Sequence, residues 1–164
     1  MSGTVRSVLA LGSNLGASRD TLVGAVADLA DHDDVRLHAL SPVVRTRPVG
    51  GPEQPDYLNM VLEVETSLAP LELLAHCQGV EEKYQRTRSV RWGPRTLDVD
   101  IITYGSLTSD DPTLTLPHPR AASRAFVLQP WAWMDPAARL DGRLVGELAA
   151  EAPDLPGLAP FEED

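Results

Sequence analysis

The spacing of apolar positions switches between two and about three and a half along this chain, and each switch marks an element. Residues 4–11, TVRSVLAL, read as a buried strand that ends at the turn Gly12-Ser13-Asn14-Leu15-Gly16. From Ser18 onward Leu22, Ala25, Val26 and Leu29 recur at helical spacing, and the polar run 31–34, DHDD, closes that helix. Residues 35–46 are apolar and β-branched enough for a second strand, with Pro42 implying an edge position or an irregularity. Three prolines and two glycines in residues 46–56 permit only a loop. Residues 57–65 alternate, placing Leu58, Met60, Leu62 and Val64 on a core face and Tyr57, Asn59, Val61, Glu63 and Glu65 on the other. A helix opens near Pro70 and carries the stripes Leu71-Leu74-Ala75 and Leu73-Cys77-Val80-Tyr84. A basic loop then leads to a strand in which Leu97, Val99 and Ile101 alternate with Asp98 and Asp100.

The order β-α-β-β-α-β predicts an α+β domain, a split βαβ sheet covered on one face by two helices. The last sixty residues then form a helical appendage. Residues 124–134 predict a short helix broken or kinked at Pro130, and 142–151 another. The 164 residues suit a single domain spanning 1–164, with the proline-rich stretch 152–164 expected as a loosely ordered tail.

Charge narrows the function. A net charge of -10 argues against a general nucleic-acid binder, because such affinity rests on neutralising phosphates. The cations are one lysine and thirteen arginines, and Arg86, Arg88, Arg91 and Arg95 fall just before the paired aspartates, forming a local anion site. A lone cysteine, Cys77, excludes an internal disulfide and fits a core position. With no apolar run of membrane-spanning length, a soluble, cytoplasmic protein is expected, with no membrane or nucleic-acid partner. A monomer, or at most a weak homodimer, is the expected state.

Asp98 and Asp100 project from one face of their strand, which suits magnesium shared with substrate phosphates. On spacing alone a solvated strand face is the commoner arrangement. Arginine is suited to forked recognition of phosphate oxygens, so the acid pair beside the basic cluster favours a metal-bridged polyphosphate. Trp92, beside Gly93 and Pro94, could stack on a base or pin its loop to the core. Tyr57 and Asn59 could sandwich and hydrogen-bond a flat heterocycle, or the tyrosine could pack on a neighbour. Gln78 and Glu81 share one side of their helix, as a surface pair would. His118 has no second ligand at zinc spacing, which leaves a phosphate contact or a structural role. The Gly12–Gly16 turn is not a Walker loop, and nothing marks a covalent nucleophile.

RWGPRTLDVDI at 91–101, with LALGSNLG, QPDYLNMV and LPHPR...RAFVLQPW in order, resembles the 6-hydroxymethyl-7,8-dihydropterin pyrophosphokinases of the folate pathway. The resemblance covers about residues 5–135. It implies a ferredoxin-like βαββαβ core in an αβα sandwich and ATP-dependent transfer of diphosphate to the pterin hydroxymethyl group, releasing AMP. It implies that Asp98 and Asp100 hold two Mg2+ ions bound with ATP and that Arg86 and Arg95 assist transfer. By the same resemblance, Gln78, Glu81, Arg88, Trp92, Thr115, His118 and Arg124 line the nucleotide site. Tyr57, Asn59 and Phe126, with backbone groups near Thr46, Arg47 and Val49, would hold the pterin. The loops 46–56 and 84–94 would close over the substrates and exclude water. Gln85, Arg47 and Thr113 depart from residues common in that family. Two other functions compete: a catalytically silent binding module, and a magnesium-dependent phosphohydrolase needing a base for its water.

Overall fold

The computed structural model describes residues 3–13, 18–46, 57–86 and 97–161. Its elements run β1 Val5–Ser13, α1 Ser18–Ala30, β2 Val35–Leu40, β3 Val44–Thr46, β4 Tyr57–Thr66, α2 Pro70–Arg86 and β5 Asp98–Tyr104. There follow a hairpin of β6 Ser109–Asp111 and β7 Leu114–Leu116, then α3 Ala125–Met134, a hairpin of β8 Arg139–Leu140 and β9 Arg143–Leu144, α4 Val145–Glu151 and β10 Leu158–Pro160. The main sheet is ordered β10-β3-β4-β1-β5, with β2 and β3 lying end to end along one side of β4. All its pairings are antiparallel, and with β2 and β3 counted as one interrupted strand this is the ferredoxin-like arrangement.

The interruption has a local cause. Leu40 opposes Leu62 and Val44 opposes Asn59, so Ser41, Pro42 and Val43 face only two residues of β4. Pro42 cannot donate to a ladder, and the chain bulges. Ser41 compensates: its amide donates to the Val61 carbonyl at 2.9 Å, and its hydroxyl accepts the buried Val61 N–H at 2.9 Å. A side-chain oxygen thus stands in for the missing backbone acceptor.

Alternation divides the apolar residues between two cores. Leu9 and Leu11 of β1, Leu58, Met60, Leu62 and Val64 of β4, and Val99 and Ile101 of β5 pack against α1 and α2 through Leu22, Leu29, Leu73 and Cys77. Val8, Ala10, Val61 and Ile102, from the same strands, pack the other way against Val127, Leu128 and Trp131 of α3 and Val145 and Ala149 of α4. The alternation argument by itself expected one covered face; Val61 is fully buried on the second, so the molecule has three layers, as the family resemblance implied.

Two further expectations change. Pro130 lies inside a continuous α3 without breaking it, although the bond it would have given the Phe126 carbonyl is missing. Residues 155–160 are not a loose tail. Leu155–Gly157 make a 3-10 turn, β10 pairs with β3, and Phe161 N–H donates to the Val43 carbonyl at 2.9 Å beneath the Arg45 guanidinium. The exposed edge of β3 offered a row of unpaired backbone groups, and the C-terminal segment fills it.

Cys77 sits fully buried beneath β5, where desolvation and then the charges of Glu81 and Asp100 push its thiol up to about 12. At α2's far end Tyr84 donates to Asp28 of α1 at 2.8 Å, beside Lys83, and packs in direct contact with Gly24, where any side chain would collide with its hydroxyl. Ser41→Ala should lower unfolding free energy by about 1–3 kcal/mol, since Val61 N–H would be left buried without an acceptor. Urea unfolding measures it, and an unchanged midpoint would mean that water replaces the hydroxyl.

Candidate active site

Three strands set out the site by their register. Gly12 of β1 pairs with Asn59 on one side and Asp98 on the other. One pleat further along, Ala10 pairs with Val61 and Asp100. Because side chains alternate, Asn59, Gly12 and Asp98 share the α3 face with Ala10 and Asp100. Towards the other end, that same face is closed by Val8, Val61 and Ile102 under α3 and α4. Where the apolar cover stops, the face opens into a cavity of about 470 Å³.

The sheet forms its floor through Ala10, Gly12, Asn59, Asp98 and Asp100. Tyr57 and Thr46 line it from the β4 and β3 side, Arg124 and Phe126 from the start of α3, and Pro153, Asp154, Pro156 and Gly157 from the C-terminal segment. Asn59 is nearly buried, and its amide NH2 donates to Thr46 Oγ1 at 3.0 Å. With its NH2 on Thr46, the amide turns Oδ1 toward Gly12. Gly12 permits the arrangement: a Cβ there would lie 2.7 Å from Asn59 Oδ1. Arg124 lays its guanidinium over the Phe126 ring, 5.4 Å from the centroid. The cavity therefore joins an amide held by Thr46, two aromatic rings, one arginine and three carboxylates, those of Asp98, Asp100 and Asp154.

Of the residues singled out from sequence, Thr46, Tyr57, Asn59, Asp98, Asp100, Arg124 and Phe126 all line this cavity. Gln78, Glu81, Thr115 and His118 do not. Glu81 of α2 accepts the Val99 N–H at 2.8 Å, capping the outer edge of the aspartate strand, while Gln78 is exposed one turn before it. Thr115 donates its hydroxyl to the Asp111 carbonyl at 3.0 Å and so closes the β6–β7 hairpin. His118 is tied to β5 by its amide, which donates to the Ile102 carbonyl at 2.9 Å, and its Nδ1 accepts the Arg120 N–H at 3.2 Å. Burial holds its imidazole below the ordinary value; Asp100 pulls it upward, and Arg124 and Arg120 add to the lowering. Arg47, Val49, Arg88, Trp92 and Arg95 lie outside the described residues, as do most of both proposed closing loops. Arg86 ends α2, and its backbone alone is described.

Sequence reasoning missed two contributors. The closeness of Gly12 to Asn59 depends on a pairing between residues far apart in the chain. The wall from Pro153 to Gly157 carries no motif.

Oxygen is the donor the two aspartates offer a metal, and among the described residues no set of three or more His, Cys, Asp and Glu is gathered to hold one. Two neighbouring carboxylates on an open strand face fit a hard cation that fills its remaining positions with water and substrate oxygens.

Fold and cavity first define a class: a ferredoxin-like αβα protein with a small-molecule site on the open end of one sheet face. The family model of 7,8-dihydro-6-hydroxymethylpterin-pyrophosphokinase (HPPK) matches residues 8–136. A Pseudomonas aeruginosa 2-amino-4-hydroxy-6-hydroxymethyldihydropteridine pyrophosphokinase is 43% identical, over 90% of this chain and 92% of that one. The Bacillus subtilis protein of the same name is 45% identical over 76% of this chain and 74% of its own. The chain belongs to the HPPK family. The same fold occurs in Plasmodium falciparum HPPK-DHPS solved with pterin and p-hydroxybenzoate, at TM-score 0.75 and 12% identity over 98% of this chain. This chain spans 48% of that one.

His118 reports on the site's electrostatics. In metal-free buffer its imidazole should titrate by NMR below the usual value of about 6.5. Arg124→Ala should raise the midpoint and Asp100→Asn should lower it further. A midpoint at or above the usual value, unmoved by either change, would contradict the arrangement described.

Proposed function

We propose that this cavity transfers diphosphate from ATP to the hydroxymethyl oxygen of 6-hydroxymethyl-7,8-dihydropterin, a step of folate biosynthesis that yields the pterin diphosphate and AMP. The observation that carries this reading is the placement of Asp98 and Asp100 in the same cavity as the Asn59–Thr46 pair, Tyr57 and Phe126. One half of the cavity suits a flat heterocycle and the other a cation-bound polyphosphate. Family membership supplies the particular substrates.

In this reading the pterin lies between the rings of Tyr57 and Phe126, and Asn59, braced by Thr46, meets its hydrogen-bonding edge. Backbone groups near Thr46, Arg47 and Val49 complete the slot. The hydroxymethyl oxygen attacks the β-phosphorus, the bond from that phosphorus to the oxygen bridging it to the α-phosphorus breaks, and the hydroxyl proton is lost. Arg86 and Arg95 offset the charge that develops on the transferred group. Arg124 and His118 approach the nucleotide from the α3 side, Gln78, Glu81 and Thr115 border it around β5, and Arg88 and Trp92 cover it. Asp98 and Asp100 would hold two Mg2+ ions, which when bound supply neutralisation of the phosphates and orientation of the hydroxymethyl group. The rate would come from holding nucleophile and phosphorus in line rather than from a covalent intermediate.

We take the acting form to be a cytoplasmic monomer. A lone, buried thiol supports the compartment, and the monomer is supported by the large exposed apolar side chains among the described residues, Val23, Leu40, Leu71, Leu107 and Trp133, coming from separate parts of the chain. Among the described residues no helix is long and apolar enough to cross a membrane.

Incubation with ATP, magnesium and the dihydropterin, with chromatographic resolution of nucleotides, tests the reaction. AMP should appear one-for-one with pterin diphosphate and only when pterin is present. ADP or free phosphate would indicate a different transfer, and binding without turnover a silent module. Asp98→Asn and Asp100→Asn should each lower turnover by about a hundredfold or more at saturating magnesium; near wild-type rates would remove the carboxylates from the metal site.

A further inference from the structure

The helix that presents Phe126 and Arg124 is poorly finished by its own sequence. Arg124 occupies the N-cap of α3 in an extended conformation and makes no side-chain capping bond. Pro130 withholds the hydrogen bond that would otherwise secure the Phe126 carbonyl. Arg124 and Phe126, both lining the cavity, therefore sit on a turn short of its usual ties. The missing cap comes from twenty-nine positions further along: Asp154 Oδ1 accepts the Ala125 N–H at 2.8 Å. A carboxylate is well suited to this place, where unpaired N–H groups and the helix dipole both favour an anion.

The capping segment is itself held at both sides of the cavity. Ala152, just before it, is buried against the α3 and α4 core, and β10, just after it, pairs Leu158 with Thr46. Thr46 is the residue that orients Asn59. Residues 153–157 thus tie the α3 wall of the cavity to its β3 wall. The match to the family model ends at residue 136, before this tie.

We propose that Asp154 is a positioning residue for the pterin slot, acting through the Ala125 N–H to hold the first turn of α3 so that the Phe126 ring faces the heterocycle. The inference rests on the pterin placement proposed above. It assigns to the C-terminal segment a part in substrate affinity, and it separates two properties of Asp154: its accepting oxygen, which matters, and its negative charge, which matters less.

Steady-state kinetics of Asp154→Ala, Asp154→Asn, Asp154→Glu and Phe126→Ala, each with a thermal melt, test it. Asp154→Ala should raise the pterin KM about five- to tenfold, the size of a lost helix cap, and the ATP KM by less, through Arg124 on the same turn, while kcat stays within about twofold. Asp154→Asn keeps an acceptor on a side chain of the same length and should restore the pterin KM to within about twofold of wild type. Asp154→Glu keeps the charge but overshoots the amide, and should resemble the alanine variant; it and Asp154→Asn preserve the test if Asp154→Ala does not fold. An unchanged pterin KM in both Asp154→Ala and Asp154→Glu, or equal impairment of Asp154→Asn and Asp154→Ala, would overturn the proposal. A lowered melting temperature with normal pterin KM would also overturn it, by making the contact purely structural. If Phe126→Ala leaves the pterin KM unchanged, the stacking assignment fails first and the inference falls with it.

Discussion

The position of β1 between β4 and β5 governs everything else in this molecule. Its register with both neighbours places Gly12 between Asn59 and Asp98 and Ala10 between Val61 and Asp100. A slip of one residue on either side would turn the amide or the carboxylates to the opposite face, into the core beneath α1 and α2. The register is held by that same core: Leu9, Leu11, Leu62, Val99 and Ile101 are buried on the other side of those strands and would be expelled by the same slip. Burial worth about 1.5–3 kcal/mol for each large side chain makes such a slip prohibitive. Hydrophobic packing on one face thus sets the chemistry on the other.

The α3 face is apolar at one end and polar at the other, and the change falls within single strands. β4 passes from Val61 to Asn59 and Tyr57, and β5 from Ile102 to Asp100 and Asp98. α3 and α4 cover the apolar end. At the polar end, among the described residues, cover comes from the first turn of α3 and the C-terminal segment, leaving space above the sheet. Small side chains on β1 keep that space open: Ala10 and Gly12 lie under the cavity between longer neighbours. The sheet forms the floor of the site, where Asn59 donates to Thr46, and the wall above it is tied by the hydrogen bond from Ala125 to Asp154.

Much of this was legible in the sequence because it is local. Alternation in 57–65 and 97–101 placed Tyr57 with Asn59 and Asp98 with Asp100 on shared faces, and strand geometry needs nothing more. The resemblance carried by RWGPRTLDVDI and the other three motifs assigned Phe126 to the pterin and Arg124 to the nucleotide, and both residues line the cavity. What was not legible is non-local. Residues 152–161 look like a tail because their prolines preclude a long helix, yet a free edge on β3 orders them. Pro130 reads as a break, but buried contacts made by Val127, Leu128 and Trp131 outweigh one lost hydrogen bond. Thr115 is drawn into its own hairpin and Glu81 onto the backbone of β5, assignments that depend on partners no spacing rule shows.

The central claim is that substrate meets the sheet at the row formed by Asn59, Gly12 and Asp98. Amide shifts of the 15N-labelled protein on addition of 6-hydroxymethyl-7,8-dihydropterin without ATP test it most directly. The largest changes should fall at Gly12, Thr46, Asn59 and Phe126, while Val5, Thr66 and Tyr104, at the opposite ends of the same three strands, stay in place. Changes centred on those far ends, or on the outer surfaces of α1 and α2, would contradict the account.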